Sequence, residues 1–321
     1  MKKDPGLIYG YYLNKNHQVE RIDSVNSLDT GQSYWLHFDY SFAQTQFWIE
    51  NHSELNPVVI AALLNEETRP RATFIDDGFL ISLRGVNLSP NSDPEDMVSI
   101  RIWVDKNRII STRHRRLLSA EKIARDIESK NGPTSAIELL TQFSSELIAR
   151  MSDTIDEIEE KLASIEEQLL TRNSHVLRND VVELRQQIIA LRRYLAPQRE
   201  AMLQLQNDKH DFFNSDQRLE LREALDTLMR YIEDLDSIRD RAIVVQEEIA
   251  NKLNEQLNNR MYVLSIITAI FLPLGFLTGL LGINVGGIPG ADNPYAFALF
   301  IGFLWVIIIV QIGLLKRNKW F

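Results

Sequence analysis

Two long apolar runs near the end of the chain dominate its hydrophobic pattern. Met261–Leu281 (MYVLSIITAIFLPLGFLTGLL) and Tyr295–Leu315 are each 21 residues long and contain no charged residue. At the helical rise such a run covers roughly 31 Å, the thickness of a bilayer's hydrocarbon core. The pattern predicts transmembrane helices at 261–281 and 295–315, joined by a Gly/Pro-rich loop at 282–294 and followed by a basic tail at 316–321.

The first 130 residues have a different texture. Leu7–Leu13, Tyr34–Tyr40, Arg71–Ile75, Gly78–Leu88, Met97–Val104 and Arg108–Thr112 are rich in β-branched and aromatic residues and read as strands. Phe42–Asn51 and Pro57–Asn65 read as short helices, and Asp105-Lys106-Asn107 as a hairpin turn. The expected domain, 1–130, is α/β with a mixed sheet. It has no GxGxxG, no GxxxxGK[ST] and no HExxH, so nucleotide and zinc-protease chemistry find no support.

From Leu117 the period becomes helical, and 131–260 reads as a stalk of long helices. After a break at Asn131-Gly132-Pro133, one helix is expected over Thr134–Leu170. Its apolar positions, among them Ile137, Leu140, Leu147, Met151, Ile155, Ile158, Leu162, Ile165 and Leu169, follow three/four spacing. Its other face is acidic. Glu138, Glu146, Asp153, Asp156, Glu157, Glu159, Glu160, Glu166 and Glu167 oppose only Arg150 and Lys161, and account for −7 of the chain's −9. Such a face is either solvated surface or a field that gathers cations near a pore mouth. A turn at Arg172-Asn173-Ser174 leads into a second helix over Val176–Asp208, in which Pro197 should introduce a kink.

After a break at Asp211–Ser215, with Ser215 or Asp216 as the expected N-cap, near-heptads of leucine run into Met261 without Gly or Pro. One helix over about Asp216–Leu281 is expected, roughly 100 Å long, able to tie the soluble part to the membrane segment. Pro273 falls inside the span, where neighbouring helices can re-satisfy the freed carbonyl.

Along the first span and the turn before it, Asn258, Ser265, Thr268, Gly275 and Gly279 recur at helical steps, and Leu272 faces the same way. Lipid does not select such a stripe; a packed neighbour or a wet lumen does. If it lines a lumen, Leu272 forms an apolar constriction able to gate by dewetting.

Composition narrows the function. Net charge is −9 and no basic stripe occurs, which argues against a nucleic-acid partner. There is no cysteine, so disulfides, thiolate catalysis and cysteine zinc sites are excluded. His17, His37, His52, His114, His175 and His210 are scattered with no i,i+4 pair. The N-terminus has no apolar segment of signal-peptide length. Arg260, Lys316, Arg317 and Lys319 flank the spans, while the loop carries only Asp292. The positive-inside rule places both chain ends in the cytoplasm and the loop outside.

The first span leads into Gly282-Ile283-Asn284-Val285-Gly286-Gly287-Ile288-Pro289-Gly290. The Asn284 amide oxygen can accept from the water shell of a cation without stripping it. A bare GxN triplet is common, but at the exit of the first of two C-terminal spans it is informative. With Trp35–Asp39 (WLHFD), Arg69-Pro70-Arg71, Ser111-Thr112-Arg113, Arg192–Glu200 (RRYLAPQRE) and Lys319-Trp320, it makes the whole chain resemble the CorA superfamily of divalent-cation transporters. Magnesium members carry Gly-Met-Asn in this loop; Ile283 and the VGGIPG continuation look like the ZntB zinc-transporter branch. The resemblance implies a CorA-like funnel in a bacterial inner membrane and a homo-oligomer of five copies. First spans would line the pore, second spans would face lipid, Gly282-Ile283-Asn284 would form the selectivity loop and Asp292 the external mouth. Zinc would be the substrate rather than a cofactor, with transport linked to a proton gradient. No Asp, Glu, His, Lys or Arg lies within either span, so proton coupling must use groups at the mouths such as Glu255 or Asp292. The alternatives are a magnesium, cobalt or nickel channel of the same architecture, and a membrane-anchored sensor or scaffold. No enzyme is expected, and the metal ligands are unknown.

Overall fold

The computed structural model describes residues 4–14, 16, 18–66, 68–171, 174–282, 290 and 293–317. They divide into two compact units, one up to Glu247 and one from Glu248.

The first unit is built on a seven-stranded sheet. Its strands are β1 (Leu7–Leu13), β2 (Glu20–Arg21), β3 (Ser33–Asp39), β4 (Arg71–Ile75), β5 (Gly78–Gly85), β6 (Val98–Val104) and β7 (Arg108–Arg113), in the order β2-β1-β3-β7-β6-β5-β4. All neighbours are antiparallel except β3 and β7. That parallel pair makes the sheet mixed. The chain crosses between them through α1 (Ala43–Asn51), α2 (Pro57–Leu64), the β4–β5 hairpin and β6. β5 stops at Gly85, short of the expected Leu88, because the chain then turns into a loop closed by Asn87 N–H donating to Pro94 O.

Both sheet faces are covered, so the central strands β3, β7 and β6 are buried along nearly their whole length instead of alternating between buried and exposed. Leu36, Phe38, Leu80, Trp103 and Ile110 pack against Trp48, Ile49, Val59 and Leu63 of α1 and α2. On the opposite face Trp35 meets Phe143 edge-to-face at 5.6 Å. Phe143 belongs to α4 (Ala136–Ala149), which follows α3 (Leu118–Glu128).

The single helix expected over Thr134–Leu170 is two helices, α4 and α5 (Ser152–Thr171). No Gly or Pro marks the join. The chain turns at Arg150 and Met151, with Met151 N–H donating to Ile148 O, and the Met151 side chain is buried at the corner. The apolar period passes through the corner unbroken, so tertiary packing overrides local propensity there.

Next come α6 (Ser174–Gln206), helical through Pro197, and α7 (Ser215–Leu281). The N-cap of α7 is Asn214, one residue before the expected Ser215. Asn214 Oδ1 accepts from Gln217 N–H while Gln217 Oε1 accepts from Asn214 N–H, a reciprocal capping box. In the first unit Leu221, Leu225, Leu228, Ile232 and Leu235 of α7 are buried, each contributing roughly 1.5–3 kcal/mol.

The Arg192–Glu200 segment joins α6 to the sheet and to α7. Gln198 Oε1 accepts from Arg84 N–H of β5 at 2.7 Å. The register of β4 ends at Ser82, so this N–H has no strand partner and the side chain substitutes for one. The Arg84 guanidinium lies 3.9 Å over the Tyr194 ring and donates to Thr68 O and Met97 O. Arg192 pairs with Asp236 of α7 at 2.5 Å.

His37 of β3 is fully buried. Its Nδ1 lies 2.7 Å from Ser111 Oγ, which also accepts from Trp35 Nε1, and Tyr9 stacks on its ring. Burial, with the Arg113 charge nearby, holds its pKa well below the usual imidazole range. The folded protein therefore keeps His37 neutral where the unfolded chain takes up a proton. That stability is fully present above the unfolded pKa of about 6.5 and is lost as pH falls toward the folded value. Going from pH 7.5 to 5.5, the melting temperature of the detergent-solubilised full chain should drop less in His37→Gln than in wild type. Equal drops would mean that folded His37 is protonated without penalty.

Candidate functional site

The second unit holds the end of α7 and α8 (Ala296–Arg317). Both helices are long and apolar enough to cross a membrane. Their side chains are mostly exposed in the single chain, as expected of helices whose natural surroundings are lipid and other helices.

At 100° per residue, Asn258, Ser265, Thr268, Leu272, Gly275 and Gly279 fall within an arc of about 100° on α7. Asn258, Ser265, Thr268 and Leu272 are all exposed. A Cβ added at Gly275 or Gly279 would meet nothing within 4 Å, so this chain's own packing does not demand glycine at either position. The Ser265 hydroxyl donates to Met261 O and the Thr268 hydroxyl to Leu264 O, both at 2.8 Å. Their hydrogens are spent on the helix, which leaves oxygen lone pairs facing outward. At these two positions the face presents acceptors, which suit the water shell of a cation, while the Asn258 amide adds both an acceptor and donors.

The same arc also holds Asn254, Leu257, Met261 and Phe276, all exposed. Asn254 and Leu257 lie before the uncharged run, and Met261 and Phe276 are apolar, so none of them stands out from the sequence. The face is therefore polar around Asn254 and Asn258 and mixed above, with Met261, Leu272 and Phe276 among the hydroxyls and glycines.

α7 ends at Leu281. A Cβ on Gly282 would sit 2.8 Å from Thr278 O, so glycine is required there by the close return of the helix's last turn. Ile283, Asn284 and Asp292, together with Val285–Pro289, Lys319 and Trp320, lie outside the described residues.

Gln311 was missed in the sequence. It is the one side-chain amide of α8, and its Nε2 lies 3.5 Å from Ala269 O of α7. An amide inside an otherwise apolar span was the available signal.

The histidines do not converge. His37 is buried against Ser111, His52 packs against Phe47, His114 lies beside Asp39, and His210 stacks on Phe74 at 3.8 Å. His17 and the side chain of His175 are outside the described residues. Among the described residues no group of three His, Asp or Glu side chains is placed to hold a metal.

Several acids of the α4–α5 face have structural partners. Glu138 caps α4 by accepting from Thr134 N–H and Oγ1–H, Glu146 pairs with Lys122, and Glu159 and Glu166 pair with Arg241 of α7. Part of the field read from the sequence is thus spent on holding helices together.

The chain matches the family model described as CorA-like Mg2+ transporter protein over residues 30–317. It is 38% identical to the divalent cation transporter CmaX of Pseudomonas aeruginosa, over 98% of this chain and 97% of that one. It is 35% identical to the zinc transport protein ZntB of Yersinia enterocolitica, over 98% and 95%. The structure of full-length CmaX superposes with a TM-score of 0.85 at 37% identity, covering 99% of each chain. An apolar helix pair with an uncharged, oxygen-bearing face, the mixed sheet and these matches lead to one conclusion: the chain belongs to the CorA family of divalent-cation transporters, ion transporters and not enzymes.

Proposed function

We propose that this chain moves zinc across the bacterial inner membrane through a pore lined by α7 in a homo-oligomer of five copies. The observation that carries the reading is the exposed face of α7, which presents Asn258, Ser265, Thr268, Gly275 and Gly279 on a helix with no charge from Met261 to Leu281. Repeated around an axis, this face gives a neutral, oxygen-bearing path. Zinc is favoured over magnesium by Ile283 and the VGGIPG continuation, and by the zinc transport protein ZntB relative. Magnesium, the ion in the family model's description, is the second reading.

In this reading, residues 1–130 and 131–260 form the cytoplasmic part, 261–281 the pore helix, 282–294 the external loop, 295–315 the lipid-facing helix and 316–321 the cytoplasmic tail. Gly282-Ile283-Asn284 is the selectivity loop and Asp292 stands at the external mouth. Neither span holds an Asp, Glu, His, Lys or Arg, so in this reading a proton gradient acts through mouth groups such as Glu255 and Asp292. Zinc flux into proteoliposomes, compared with magnesium flux at several imposed pH gradients, tests the substrate. Magnesium flux without zinc flux would replace the first reading by the second.

Asn284→Ala should lower zinc flux about tenfold or more, because the loop loses its amide acceptor for the ion's water shell. Full flux in a correctly assembled variant would remove Asn284 from the path.

Leu272, 70% exposed in the single chain, is the apolar constriction in this reading. Leu272→Ser should raise basal metal leak by wetting it. An unchanged leak in a variant that still assembles would place the gate elsewhere.

Orientation follows from Arg260, Lys316 and Arg317 against a loop without Lys or Arg. The chain has no cysteine, so Ile288→Cys should react with an impermeant thiol reagent added outside and Asn318→Cys should not. The reverse pattern would invert the topology.

A further inference from the structure

Pro273 opens a gap in the hydrogen-bond ladder of α7. Proline has no N–H, so the carbonyl four residues back, Ala269 C=O, loses its intrahelical donor. In hydrocarbon no water is available to replace it. The hydroxyls of α7 do not fill the gap. Ser265 and Thr268 donate to Met261 O and Leu264 O, and Thr278 donates to Leu274 O and Gly275 O.

The donor comes from the other span. Gln311 Nε2 of α8 lies 3.5 Å from Ala269 O, the one carbonyl that Pro273 leaves open. Gln311 Oε1 is buried with no partner among the described residues, so the Nε2 contact is what anchors this amide. An amide costs more than leucine in an apolar span. The donor it supplies to Ala269 O accounts for an amide at this height. By helical geometry Ala269 and Pro273 lie about 70° and 110° round α7 from the centre of the Asn258–Gly279 arc. The bond therefore braces α7 from the side, just beyond the edge of that face.

We propose that Gln311 is a positioning residue, an amide latch that closes the gap at Pro273 and fixes the course of α7 past Leu272. The proposal rests on the reading of α7 as the pathway helix. Pro273 is a hinge because it is missing a hydrogen bond. Gln311 restores that bond through a neighbouring helix, where it can be made and broken without unwinding α7. Conduction that requires the face at Leu272 to widen then requires this latch to let the hinge move.

A mutant cycle separates the latch from simple packing. Pro273→Ala restores a backbone N–H to Ala269 C=O and makes the Gln311 donor redundant. In the wild-type background Gln311→Leu, or Gln311→Met if leucine disturbs assembly, should change basal zinc flux about 3- to 20-fold, the range measured for hydrogen bonds between membrane helices. In the Pro273→Ala background the same substitution should change it less than about twofold. A melting-temperature cycle on the same four proteins in detergent should show the same dependence. Effects that are equal in the two backgrounds, or absent in both, would overturn the latch. If wild type moves no zinc, the functional reading fails on its own, and the melting cycle alone decides whether Gln311 and Pro273 are coupled.

Discussion

Every peptide group of a helix in hydrocarbon must find its partner within the protein, and this constraint shapes the last third of the chain. Along α7 the helix satisfies its own backbone, and the hydroxyls of Ser265, Thr268 and Thr278 are folded back onto carbonyls one turn earlier. The exception is Ala269 C=O, released by Pro273 and met by Gln311 from α8. The two spans are therefore joined by a hydrogen bond from side chain to backbone. The same economy produces the face that distinguishes the site. Once the hydroxyl hydrogens are committed to the backbone, Ser265 and Thr268 present oxygen outward, with the Asn254 and Asn258 amides below and glycine and apolar side chains between.

In the first unit the equivalent problem is the end of a strand pair. β4 runs out before β5 does, and the Arg84 N–H beyond it is met by Gln198. The Arg84 side chain then lies on Tyr194 and reaches the Thr68 and Met97 carbonyls, so one turn of α6 holds the sheet edge. The segment Arg192–Glu200, which read as a family motif, is thus a piece of structural chemistry. Its polar residues complete a sheet and pair with α7 through Asp236. The acidic face of α4 and α5 divides in the same way, since Glu138, Glu146, Glu159 and Glu166 serve caps and helix pairs.

Much of this was legible in the sequence for a local reason. Twenty-one uncharged residues, an unbroken leucine period into Met261, and lysine and arginine on one side of the hairpin are patterns within a few turns of chain. They specify two membrane helices, one of them continuous from Ser215 to Leu281, and the arc that carries Asn258 to Gly279. The strands were readable through their β-branched and aromatic content, and the absence of cysteine and of phosphate loops narrowed the chemistry.

Only the tertiary structure decided which distant residues complete one another. The parallel pairing of β3 with β7 joins segments separated by two helices and three strands. The corner between α4 and α5 carries no breaker residue; it is set by where Met151 is buried. His37 looked like any scattered histidine until the sheet enclosed it beside Ser111. Gln198 meets Arg84 across 114 residues and Gln311 meets Ala269 across 42. Periodicity encodes which face a residue occupies, because that depends on neighbours three and four positions away. It carries no record of which unpaired N–H or C=O a side chain will find, because that partner is brought near only when the elements pack.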